Sequence, residues 1–239
     1  MNAVIDYGNS RIKVGLFENS ELRKKETFSE EKDFISFIND NSIANLLVSS
    51  VTKAEHDLPK EIHVEGNRYF LTHTLPLPVT IKYKTPETLG VDRIAAACGA
   101  VAVMPDRDLL VIDAGTCVNI ECIDRELTYH GGSIAPGIKM RFDAMHQFTS
   151  RLPLISAKAD PDLIGASTEE CMQSGVVNGM LAEVNGIIDL YKRIYPNMGV
   201  ILCGGDSSFF ENNVKHPIFV APDLVLIGLN RILLHNVGL

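Results

Sequence analysis

Val4-Ile5-Asp6-Tyr7-Gly8-Asn9-Ser10 and, 107 positions later, Val111-Ile112-Asp113-Ala114-Gly115-Thr116-Cys117 present one pattern twice. In each copy an apolar strand ends in a carboxylate. A glycine with a small polar neighbour follows, and then a second strand-like run, 11–17 in the first copy and 118–123 in the second. A carboxylate at a strand end holds a cation, and a glycine without Cβ lets backbone N–H groups approach phosphate oxygens. Taken singly, the first turn is also a plain β-hairpin whose Asx-type turn uses Asp6 and Asn9. The repetition favours two similar halves that clamp a nucleotide between them. Asp6 and Asp113 would repel a triphosphate, so this reading requires a metal ion. Lys13, on the strand after the first turn, is placed to meet a β- or γ-phosphate as a point charge.

Composition narrows the class. A chain of 239 residues with net charge −8 has no long basic run beyond Arg23-Lys24-Lys25, so nucleic acid is not the expected partner. No apolar stretch approaches the ~20 residues of a membrane span, and no signal peptide precedes Asp6. The five cysteines form no CxxC pair, which suits reduced thiols in a cytoplasmic protein and gives no zinc site. The seven histidines make no HExxH pattern.

Along the first half, the pattern predicts strands at 3–6, 11–17 and 22–28, a helix over 30–39 capped by Ser29, and a strand at 46–50. The stretch 75–86, with Pro76, Pro78 and Pro86, reads as an irregular, partly extended connection. Residues 90–104 are almost all apolar or small after Asp92-Arg93, predicting a helix buried between the halves. The joint falls near 105–108, giving domains 1–107 and 108–239. The second half predicts strands at 109–113, 118–123 and 127–130, a glycine-rich loop 131–137, and a helix to about 151. A long helix from Ser167 to about Tyr195 opens with a capping box, Ser167 and Glu170. Strands at 199–203 and 218–221 and a helix over 224–236 complete the chain. Gly175, Gly179, Ala182 and Gly186 share one face of the long helix. That face serves either packing within the fold or a subunit interface.

The phosphate-loop patterns GxxxxGK[ST] and GxGxxG are absent. A further constellation runs from Tyr83 to Gly90-Val91-Asp92-Arg93. Asp92 in a first helical turn is stabilised by the helix dipole as a cap. Beside an arginine it is equally suited to accept a substrate proton while the guanidinium binds a carboxylate. Gly131-Gly132 with Pro136-Gly137, and Cys203-Gly204-Gly205-Asp206, read as flat nucleoside platforms or as tight turns.

In this order, these segments resemble the type III pantothenate kinases, within the sugar kinase–actin superfamily (ASKHA). The resemblance extends through Arg151-Leu152-Pro153, Gly165 and Thr168. It implies an α/β fold of two ribonuclease H-like domains, actin-like and duplicated, with the active site in the cleft between them. It implies ATP-dependent phosphorylation of pantothenate to 4′-phosphopantothenate, the first step of coenzyme A biosynthesis. Asp6, Tyr7, Gly8, Asn9, Ser10, Arg11, Ile12 and Lys13 would bind the ATP phosphates, with Mg2+ at Asp6, and Thr116 would also contact ATP. Asp92 would be the proton acceptor. Tyr83, Gly90, Val91, Asp92, Arg93 and Thr168 would line the pantothenate site. Asp113 would hold a monovalent cation, K+ or NH4+. The resemblance also implies a homodimer, which favours the interface reading of the small-residue face.

The sequence departs from the family pattern at Ser10 and Cys203, where threonine is usual, and at Cys117-Val118-Asn119. Another superfamily phosphotransferase is the alternative enzyme. A non-catalytic regulator on the same fold would be expected to have lost a charged site residue, and Asp6, Lys13, Asp92, Arg93 and Asp113 are all present.

Overall fold

The computed structural model describes residues 1–8, 11–50, 59 and 61–238. The first compact unit comprises Met1–Asp106, Ile123–His130 and Asp223–Leu239; the second comprises Arg107–Cys122 and Gly131–Pro222. These units differ from the continuous stretches 1–107 and 108–239, because the last helix returns to cover the first sheet.

In the first unit, β1 (Asn2–Tyr7), β2 (Ile12–Glu18), β3 (Glu21–Phe28), β4 (Asn45–Ser50) and β5 (Arg68–Phe70) form a sheet in the order β3-β2-β1-β4-β5. The β1–β2 and β2–β3 pairs are antiparallel, whereas β1–β4 and β4–β5 are parallel. Strand residues alternate between faces. Ala3, Ile5, Tyr7, Val14, Leu16 and Val48 accordingly pack with Phe34 and Ile38 of α1 (Glu31–Asn39). This helix starts after Glu30, which makes no side-chain cap, so Ser29 is not the cap expected. The same alternation puts Asp6, with Val4, on the other face of the sheet.

Helix α7 (Leu224–Val237) packs on β1, β2 and β4, and α2 (Val91–Val103) packs on α7. The two helices touch backbone to backbone: a Cβ at Gly228 would collide with the Ala95 carbonyl, and one at Gly99 with that of Leu224. The helix expected between the halves therefore has its main partner, α7, inside the first unit.

The second sheet contains β6 (Thr80–Ile81), β7 (Leu109–Ala114), β8 (Cys117–Ile123), β9 (Thr128–Pro136), β10 (Gly199–Cys203) and β11 (Phe219–Val220), in the order β11-β10-β7-β8-β9-β6. Without β6, it repeats the strand order of the first sheet. Strands β1 and β7 each have six residues with aspartate fifth, and in both every residue is buried except that aspartate. The core of the second unit joins Ile112, Val118 and Leu202 to Phe142 of α3 (Ile138–Phe148), to Val184 and Ile188 of α5 (Gly179–Ile194), and to Phe210.

Three segments differ from the sequence reading. Strand β9 runs straight through Gly131-Gly132 to Pro136, where a loop was expected. Gly131 has φ +92°, and Gly132 lies so close to the Ile120 backbone that a Cβ would not fit. The long helix is not uniform: α4 (Thr168–Gln173) passes through a π-helical turn, Ser174–Asn178, into α5. A short helix, α6 (Ser207–Glu211), was not foreseen, whereas β6 within 75–86 agrees with the partly extended reading of that stretch. None of the five cysteines forms a disulfide, and among the described residues no helix is long and apolar enough to cross a membrane.

Candidate active site

The first Asp-x-Gly turn joins β1 to β2. The Gly8 N–H donates to the Arg11 carbonyl at 3.1 Å, closing the turn, and Asp6 pairs in register with Lys13 on the antiparallel neighbour. Asn9 and Ser10 lie outside the described residues. Burial pushes the Asp6 carboxyl from 3.8 up to about 6; Lys13 opposes the shift and the nearby charge of Asp92 adds to it. Tyr7 and Ile12 turn into the α1 core instead. The Tyr7 hydroxyl donates to Glu31 at 3.1 Å and its ring meets Phe34 edge-on at 5.5 Å. Of the residues assigned to this turn, Arg11 and Lys13 are the exposed cations.

Helix α2 supplies the second group. Gly90 precedes its first turn, and the Asp92 carboxylate folds back over it: a Cβ at Gly90 would sit 2.5 Å from Asp92 Oδ1. The Arg93 N–H donates to the same oxygen at 2.9 Å. Asp92 thus caps its own helix while its charge reaches Asp6. Arg93 is buried, with its guanidinium 6.0 Å from the Tyr83 ring centroid, and Tyr83 lies 6.2 Å from Tyr129. Tyr83 is placed by strand pairing, since the Lys82 N–H donates to the Tyr129 carbonyl at 2.9 Å. Tyr129 was missed by sequence reasoning, because nothing local indicates that β6 pairs with β9.

The second Asp-x-Gly turn, in the second unit, is packed by both of the other glycine motifs. The Gly115 N–H donates to the Cys117 carbonyl at 2.9 Å and the Gly137 N–H to the Thr116 carbonyl at 3.0 Å. A Cβ at Gly137 would collide with the Gly115 carbonyl, and one at Gly204 with Asp113 and the Ala114 carbonyl. Gly204 also has φ +90°, where a side chain is strained. The Asp206 N–H donates to Ala114 at 2.9 Å, and burial raises the Asp206 carboxyl. Gly137 and Gly204 therefore bring backbone against the turn. Thr116 is exposed on it.

Thr168 opens α4. The Ser167 hydroxyl accepts from the Glu170 N–H at 3.3 Å, and Glu170 accepts from Ala166 at 2.7 Å, one residue earlier than a capping box requires. Thr168 lines a cavity of about 620 Å³ together with Met145, Leu152, Gly165 and Cys171.

A model of the family described as type III pantothenate kinase matches residues 3–190. The chain belongs to the type III pantothenate kinase family. It is 42% identical over 237 residues to a type III pantothenate kinase of Cytophaga hutchinsonii, covering 99% of this chain and 100% of that one. Its fold is the two-domain actin-like α/β fold. A structure from Campylobacter jejuni, described as a Baf family transcriptional activator, has a TM-score of 0.64 at 22% identity, covering 99% of this chain and 100% of the other. One from Sinorhizobium meliloti, described as a 2-dehydro-3-deoxygalactonokinase, has a TM-score of 0.62 at 12% identity, with both chains fully covered. At these identities the likeness concerns the fold alone.

Proposed function

We propose that this chain transfers the γ-phosphoryl group of ATP to the 4′-hydroxyl of pantothenate, releasing ADP and 4′-phosphopantothenate. Family membership supports the reaction class, and one observation carries the site assignment: the charge of Asp92 acts on Asp6, so the candidate base and the candidate phosphate-turn carboxylate share one neighbourhood. Asp92 accepts the hydroxyl proton as the oxygen forms its bond to the γ-phosphorus and the bond to ADP breaks. Arg93, held over Tyr83, binds the pantothenate carboxylate. Lys13 meets the phosphates from the strand opposite Asp6.

The donor set fits the two cations. Among the described residues no cluster of three or more His, Cys, Asp or Glu forms a metal cage. Mg2+ characteristically needs only one or two carboxylates when phosphates and water complete its shell. Asp6, a carboxylate that burial leaves costly to ionise, would hold it. Bound there, Mg2+ would neutralise charge on the phosphate oxygens. Asp113, a hard oxygen ligand, would hold K+ or NH4+.

The long helix supports a homodimer. Among the described residues, nothing outside their own helix backbone lies within 4 Å of where a Cβ would stand at Gly175, Gly179 or Gly186, so this face is open. The same face continues through Leu190 and Ile194, 56% and 68% exposed, an apolar stripe suited to its own two-fold copy.

The test is ADP release by purified protein with ATP and Mg2+, with and without pantothenate and K+. Release that depends on both is expected. Release indifferent to pantothenate would defeat the substrate assignment, and indifference to K+ would defeat the cation at Asp113.

A further inference from the structure

The second turn is held in place from a distance. Gly137 bonds to Thr116 and leaves no room for a Cβ beside Gly115, so the Pro136-Gly137 segment fixes where this turn sits. Pro136 is itself held: Arg141 Nε donates to its carbonyl at 2.8 Å. The other arm of the same guanidinium donates to Glu183 Oε2 at 2.8 Å, on α5. The Arg141 backbone N–H, in the first turn of α3, donates to Gly137 at 3.1 Å. One planar fork therefore ties the end of β9, the start of α3 and the side of α5 to the segment that packs on Thr116. With side chains 22% and 34% exposed, the pair is shielded enough to hold its geometry.

The geometry points to Arg141 and Glu183 as positioning residues for nucleotide binding, acting on Thr116 through Pro136-Gly137. Neither reaches the reacting atoms. The inference rests on the reading that Thr116 contacts ATP. A lysine at 141 keeps the charge but lacks the planar fork that spans a carbonyl and a carboxylate together.

The experiment compares the full-length protein with Arg141→Met, Arg141→Lys and Glu183→Gln. It measures calorimetric binding of a non-hydrolysable ATP analogue with Mg2+, together with KM for ATP and for pantothenate. Arg141→Met is expected to weaken analogue binding and raise KM for ATP roughly tenfold, with KM for pantothenate changed by less than about twofold. Arg141→Lys should recover little of this, and Glu183→Gln should lie between the wild type and Arg141→Met. Unchanged analogue binding in variants with native circular dichroism overturns the proposal, as does an equal rise in both KM values. If Arg141→Met does not fold, Glu183→Gln decides by the same criteria. Wild-type protein without pantothenate-dependent turnover would refute the proposed function, and the analogue titration would still decide the positioning role.

Discussion

Replacing Asp6 by asparagine should make the unliganded protein more stable while removing its turnover. Burial lifts the Asp6 carboxyl from 3.8 to about 6, so the fold disfavours the ionised form. Below pH 3.8 the group is protonated in both folded and unfolded chains and costs nothing. As pH rises the unfolded chain ionises first, and the penalty grows until the folded group has also ionised, above about pH 6. At about 1.4 kcal/mol for each unit of displacement, the penalty is about 3 kcal/mol at pH 7.5 and about 1 kcal/mol at pH 4.5. Asparagine has no ionised form and escapes it. For a chain of this size, 3 kcal/mol corresponds to a rise in Tm of about 6–12 °C. Thermal unfolding of both proteins at pH 7.5 and pH 4.5, without nucleotide or metal, measures the difference. A variant no more stable than the wild type at pH 7.5, or equally stabilised at both pH values, would refute the reasoning. An active-site group that lowers stability is a common compromise between function and fold.

Asp92→Asn should lower turnover roughly 100-fold or more while the ATP analogue still binds; near-normal turnover in a steady-state assay would remove Asp92 as the base. Asp113→Ala should abolish stimulation by K+, read as rate against K+ concentration; an unchanged K+ curve would place the cation elsewhere. Gly186→Arg, on the open face of α5, should convert a dimer to a monomer in light scattering without lowering Tm, and an unchanged mass would locate the interface on another surface. Gly228→Val forces a side chain into the Ala95 carbonyl and should cost about 3 kcal/mol in chemical denaturation; a wild-type midpoint would mean that the two helices separate freely.

The repeated strand-and-turn was legible because strand alternation and a terminal aspartate are local signals. β1 and β7 formed with the aspartate at the same place and the same burial, and strand Gly199–Cys203 has the bounds expected of it. The glycines were harder to read. Gly131-Gly132 looks like a loop in sequence, yet the pair lies within β9: Gly131 takes a positive φ, and at Gly132 the Ile120 backbone passes too close for any side chain. Gly137 and Gly204 are separated by 67 residues, and no local pattern announces that both pack on the turn after Asp113. Arg141 shows the same limit: its spacing from Pro136 is visible, but Glu183 lies 42 residues away. The Asp6–Asp92 neighbourhood is likewise a product of tertiary packing, since one residue ends a strand and the other starts a helix.

The return of α7 to the first sheet has a consequence for how the chain is made. Strands β1, β2 and β4 are complete early in synthesis, but the helix that covers them begins only at Leu224. At usual ribosomal rates, the 116 residues between Asp106 and Asp223 take roughly 6–23 s to emerge. During that interval the nascent first unit has one apolar sheet face without its final cover. The second unit can collapse meanwhile, since all of its segments lie between Arg107 and Pro222. The half that begins first is therefore finished last, and a polypeptide released before Leu224 would carry a folded second unit beside an open, aggregation-prone sheet.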